Sequence, residues 1–69
     1  MTNKRLKYYA ETLEKQAQEN EESAEFFLHD TDSVNHLGED WAKDKAEELR
    51  DRARAARKLA AEMRAHISN

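Results

Sequence analysis

Six side chains that can ligate a cation fall within twelve positions near the middle of the chain: His29, Asp30, Asp32, His36, Glu39 and Asp40. They offer imidazole nitrogen and carboxylate oxygen, so calcium and zinc are the ions to test first. The spacing suits neither. A calcium loop starting at Asp30 needs a glycine where Asn35 stands and a bidentate acid where Trp41 stands. A zinc site normally brings cysteines or a closer histidine pair, and the chain has no cysteine. The expectation is a solvated acidic turn, with no metal and no cofactor.

Nucleophilic catalysis has its raw ingredients in Ser23, Ser33 and Ser68 with His29, His36 and His66. It lacks a glycine-rich turn to aim backbone N–H groups at an oxyanion, and a concave scaffold to exclude water. The chain reads as a protein without enzymatic activity and without a small-molecule substrate.

What must position these residues is helical. Charged residues make up 39% of the 69, there is no proline and a single glycine, and such a composition favours long solvated helices over a sheet. The most regular stretch runs from Trp41 to Ile67. Its apolar residues Ala42, Ala46, Leu49, Ala53, Ala56, Ala60, Met63 and Ile67 alternate four-residue and three-residue steps, which holds one narrow seam on one side of a helix. Alanine at most seam positions allows close approach of a partner helix, but each contact buries little area.

A first helix is expected over about residues 3–29, with Leu6, Tyr9, Ala10, Leu13, Ala17, Ala24, Phe27 and Leu28 on or near one face. The face thins in its middle, where Gln16, Asn20 and Ser23 fall in the path of the stripe; helix 1 is either loosely packed there or kinked near Asn20. Asp30-Thr31-Asp32-Ser33 breaks the pattern, because short polar side chains compete for backbone hydrogen bonds. Asp32 or Ser33 can cap one extra helical turn at 33–37, and Gly38 lets the chain bend before a second helix over about 39–67. Val34, Leu37 and Trp41 then close the hairpin end against Phe26 and Phe27. The expected fold is all-α: a single domain over 1–69, an antiparallel two-helix hairpin with coiled-coil-like packing, able to dimerise into a four-helix bundle.

Charge is segregated along the chain. Residues 1–18 carry four basic and two acidic groups, residues 19–51 three basic and twelve acidic, and residues 52–69 five basic and one acidic, so the segments stand at +2, −9 and +4 and together give the net −3. In an antiparallel hairpin the first and last segments lie side by side. The open end is then basic and the turn end strongly acidic.

Each pole suggests a partner. The acidic end can dock on a basic protein surface that otherwise holds nucleic acid, since closely spaced carboxylates can stand in for phosphates and long-range attraction speeds encounter. Glu22, Glu25, Asp30, Asp32, Glu39, Asp40, Asp44 and Glu47 are the expected electrostatic contacts, with Phe26 and Trp41 as apolar anchors. The basic end, with Lys4, Arg5, Lys7, Arg54, Arg57, Lys58 and Arg64, is the weaker alternative, a phosphate-binding face on a molecule whose net charge repels polyanions. A further alternative is self-association into a structural bundle along the seam of Ala46, Leu49, Ala53, Ala56, Ala60, Met63 and Ile67.

In size, acidity and helical simplicity the chain resembles the small stand-alone proteins with which bacteriophages and other mobile elements inhibit host machinery, some anti-CRISPR proteins among them. The likeness is one of composition. It implies a stoichiometric inhibitor or adaptor that occupies the surface of a larger nucleic-acid-handling protein. No apolar run approaches the ~20 residues that span a bilayer, and Met1-Thr2-Asn3-Lys4-Arg5-Leu6 does not lead into the apolar stretch of a signal peptide. The expected location is the cytoplasm, that of the host cell if the protein is phage-encoded.

Overall fold

Two helices of 27 residues each account for most of the chain in the computed structural model, which describes residues 2–67, the side chains of Thr31 and Ser33 apart. Helix α1 spans Asn3–His29, α2 spans Thr31–Leu37, and α3 spans Glu39–Ala65. Thr2 begins α1 as its N-cap, with its hydroxyl accepting the backbone N–H of Arg5 at 3.3 Å. This satisfies one of the donors left without a partner in a first helical turn. α1 is continuous through Asn20, a half-buried residue.

The chain reverses through backbone bonds. Asp30 donates its N–H to the Phe26 carbonyl and accepts from Val34 N–H, so this residue closes α1 and opens α2. The second helix therefore begins earlier than the turn expected at 33–37, with Asp30 at its N-cap instead of Asp32; the Ser33 side chain lies outside the described residues. Gly38 then takes φ 95° and ψ 149°, a backbone conformation strained for any residue with a Cβ, and redirects the chain into α3. At the far end α3 stops at Ala65, two residues short of the expected boundary, with His66 as its C-cap.

α1 and α3 pack antiparallel against each other, and the Cα envelope measures 51 × 14 × 13 Å. The buried residues are Ala10, Ala17 and Ala24 on α1, and Ala42, Ala46, Leu49, Ala53 and Ala60 on α3. On both helices alanine recurs every seven residues, and Leu6, Leu13, Asn20 and Phe27 fill the alternate positions of α1. The two seams face each other within one chain. Ala46, Leu49, Ala53 and Ala60 are thus covered by α1, and Ala56, Met63 and Ile67 are half-buried on the same line. Within the closed hairpin the buried part of this seam is taken up by α1 of the same chain.

Both phenylalanines and the tryptophan lie at the turn end. Ala24, Ala46 and Leu49 form the core cluster there, with Phe27 and Leu28 packed on it, and the Phe27 and Trp41 rings meet edge to face at 5.6 Å. The expected plug is only partly closed, since Phe26 remains 62% exposed and Leu37 is also largely in solvent. Gln16 and Ser23, expected in the core stripe, point to solvent instead; only Asn20 of the three polar residues reaches the seam.

Candidate functional site

Three arginines seven residues apart, Arg50, Arg57 and Arg64, stand one position beyond the seam on the same side of α3. Each reaches across to a glutamate of α1. Arg64 binds Glu14 through two parallel hydrogen bonds of 2.9 and 2.6 Å, Arg57 bonds Glu21, and Arg50 bonds Glu25 at 3.2 Å. The bidentate Arg64–Glu14 geometry is the stronger kind of ion pair. This row of bridges closes one flank of the hairpin.

The same row perturbs its members. Hydrogen bonding from Arg64, reinforced by the charges of Arg64 and Arg57, holds the Glu14 carboxyl below its ordinary value of 4.5, and the glutamates push Arg57 and Arg64 upward. A carboxyl whose folded value is depressed stabilises the fold fully above its unfolded value and ceases to do so as pH falls through the folded one. The thermal midpoint should therefore drop as pH is lowered below 4.5. Glu14→Gln should flatten that acid limb in melts followed by circular dichroism between about pH 6 and pH 3. An acid limb of unchanged slope in the variant would remove Glu14 from the account.

Other charges pair along their own helix: Glu39 with Lys43 at 3.1 Å, Glu48 with Arg52 at 2.7 Å and Lys45 at 3.5 Å, and Asp51 with Arg54. Of the basic end expected to meet phosphates, Arg54, Arg57 and Arg64 each already hold a carboxylate. Lys4, Arg5, Lys7 and Lys58 form no ion pair among the described residues. Of the expected acidic set, Glu25 bridges to Arg50 and also contacts His29, Glu22 accepts from Gln18, and Asp30 is half-buried at the turn.

Asp40, Asp44 and Glu47 stand apart. They are exposed, and among the described residues none of the three forms an ion pair. Their spacing of four and three, at about 100° per residue, sets them on the outer face of α3, opposite the seam. Trp41, three residues before Asp44, borders that face, whereas Phe26 lies on α1 and Glu22 on the outer side of α1. The structure does not gather all ten expected contact residues into one patch; it separates an acidic stripe on α3 from Glu25, held by Arg50, Glu39, held by Lys43, and the exposed Asp32 on α2.

Surface depressions are shallow and open to solvent. One of about 370 Å³ lies over the ion-pair row, lined by Gln18, Glu21, Glu22, Glu25, Arg50 and Arg54, and one of about 520 Å³ at the open end is lined by Thr2, Lys4, Arg5, Tyr8 and Tyr9. Neither brings a nucleophile beside a base. Among the described residues no three histidine, aspartate or glutamate side chains converge as a metal ion requires, and no helix is long and apolar enough to cross a membrane. No family model matches this chain, and no curated protein or solved structure matches it.

The ion-pair row was not anticipated from the sequence, although its signal is present there. Glu14 and Glu21 are seven apart, as are Arg50, Arg57 and Arg64, and both sets sit one position after a seam residue. In an antiparallel pair such positions face each other.

Proposed function

We propose that this protein acts by occupation: it binds a basic surface of a larger, nucleic-acid-handling protein and keeps nucleic acid off it, as an inhibitor or adaptor in the manner of phage-encoded inhibitors. The single observation that carries the reading is the stripe of Asp40, Asp44 and Glu47, exposed on the outer face of α3 and without basic partners, in a molecule whose other carboxylates on α3 are mostly paired. Unpaired carboxylates on a rigid helix lose little conformational freedom on binding and present a preformed charge pattern to a cationic groove. Trp41 and the exposed Leu37 at the same end supply apolar contact beside the charge.

The test is capture from native host lysate with the tagged chain, at low and at high salt, with and without added DNA or RNA. One large basic protein, released by salt and displaced by nucleic acid, is the expected outcome. Capture of nothing, or of a protein indifferent to both salt and nucleic acid, overturns the proposal.

A further inference from the structure

The two flanks of the hairpin are unlike. One is closed by the arginine–glutamate row; the other carries no cross-helix ion pair among the described residues and holds Tyr9, Phe26, Trp41 and Leu59, all substantially exposed, among charged positions that include Glu19, Glu62 and the Lys45–Glu48–Arg52 ion pairs of α3. Their place follows from the seam: Tyr9 and Leu59 stand one position before seam residues Ala10 and Ala60, and Phe26 and Trp41 one position before Phe27 and Ala42. All four therefore lie on the side away from the arginines, which follow seam residues. Leu59 is 44% exposed.

We infer that this flank is the interface between two copies of the chain, packed antiparallel into a four-helix bundle. Two observations choose a second copy as the occupant. The first is symmetry of placement. Arg57 stands level with Glu21, so Leu59, two residues on, stands level with Glu19, midway along the row that runs from Glu14 to Glu25. A two-fold axis through that midpoint brings the two Leu59 side chains together and sets Tyr9 of each copy toward the Phe26 and Trp41 end of the other. The second is charge: the same operation lays the basic open end of one copy beside the acidic turn end of the other, where parallel association would oppose like poles. The whole side of the Cα envelope, 51 Å by 14 Å, sets an upper bound on the order of 700 Å² per copy, which places such a contact in the small-interface class.

This interface leaves Asp40, Asp44 and Glu47 facing outward but takes up Trp41, which the proposed function also uses, so the mass of the free chain is measured apart from any partner. It is tested on the free, full-length chain by sedimentation velocity and light scattering across a concentration series. The expected species has twice the 8.1 kDa chain mass. Leu59→Glu should return the single-chain mass with helicity retained, raising the dimer dissociation constant at least 100-fold, and Ala55→Arg, an exposed position on the same flank, should do likewise. Ala61→Arg, exposed on the other side of α3, should leave the mass unchanged. A wild-type chain that stays at single mass throughout the series overturns the inference. So does a dimer that survives both flank variants.

Discussion

Replacing Ala53 by glutamate should unfold this protein, leaving no helical monomer behind. Ala53 is 1% exposed and sits in the middle of the alanine line on α3, covered by α1 of the same chain. A carboxylate there has no cation within the seam, and moving an ion out of water without a partner costs several kcal/mol even after local relaxation. The whole stability of a chain this size is about 3–10 kcal/mol at the usual stability per residue. The substitution thus removes most or all of it. The measurement is far-UV circular dichroism at 25 °C, where the variant should show the spectrum of a largely disordered chain. Ala53→Leu, which adds volume without charge, should cost a smaller ~1–3 kcal/mol and leave a folded but less cooperative hairpin. A fully helical Ala53→Glu chain at single mass, derived from a wild-type dimer, would instead return the seam to self-association.

The second large effect concerns binding. Asp44→Lys with Glu47→Lys should weaken capture of the basic partner by about 100-fold or more at low salt and should flatten the salt dependence of what remains. These two positions are chosen because reversal there leaves the fold alone. Both are exposed and free of ion pairs, and like-charge neighbours along a helix cost only a few tenths of a kcal/mol. Glu39 and Asp40 are poorer choices for reversal: they occupy the first turn of α3, where lysine would oppose the helix dipole, and Glu39 also holds Lys43. Asp40→Asn extends the test without that penalty. Binding by the double variant at undiminished affinity, measured by calorimetry with the captured partner, would show that the stripe is not the contact.

How much of this was legible beforehand differs between the helices. The seam of α3 could be read directly, because Ala42 through Ile67 alternates four and three without a break and nothing polar interrupts it. α1 carries the same alternation in Leu6, Ala10, Leu13, Ala17, Asn20, Ala24 and Phe27, but Asn20 hides it, and the face was drawn too wide, through Gln16 and Ser23. Polarity is a poor guide at a single half-buried position, where an amide can keep one edge in water. The aromatic pairs were readable by geometry alone: adjacent rings on a helix cannot share one narrow face, and indeed Phe27 packs while Phe26 does not, and Tyr8 is left 64% exposed. For the candidate site the charges were visible and their use was not. Composition shows a basic end and an acidic end, but only the antiparallel alignment decides that Arg57 and Arg64 meet Glu21 and Glu14 while Asp40, Asp44 and Glu47 meet nothing.

Alanine at every seventh position on both helices has one more consequence. A seam built from repeats of a single small side chain looks nearly the same after a slip of seven residues, so alanine packing by itself scarcely distinguishes the native alignment from its neighbours. The slip is forbidden by what does not repeat: Leu49 and Phe27 at the turn end, the fixed length of α2, and glutamates that a shift of one heptad would leave partly without arginines. In this molecule the repeating alanines supply adhesion, while alignment is shared between the non-repeating side chains at the turn end and the charges on the surface. Surface charges that look expendable by exposure thus join Leu49 and Phe27 in keeping the two helices from slipping by one heptad.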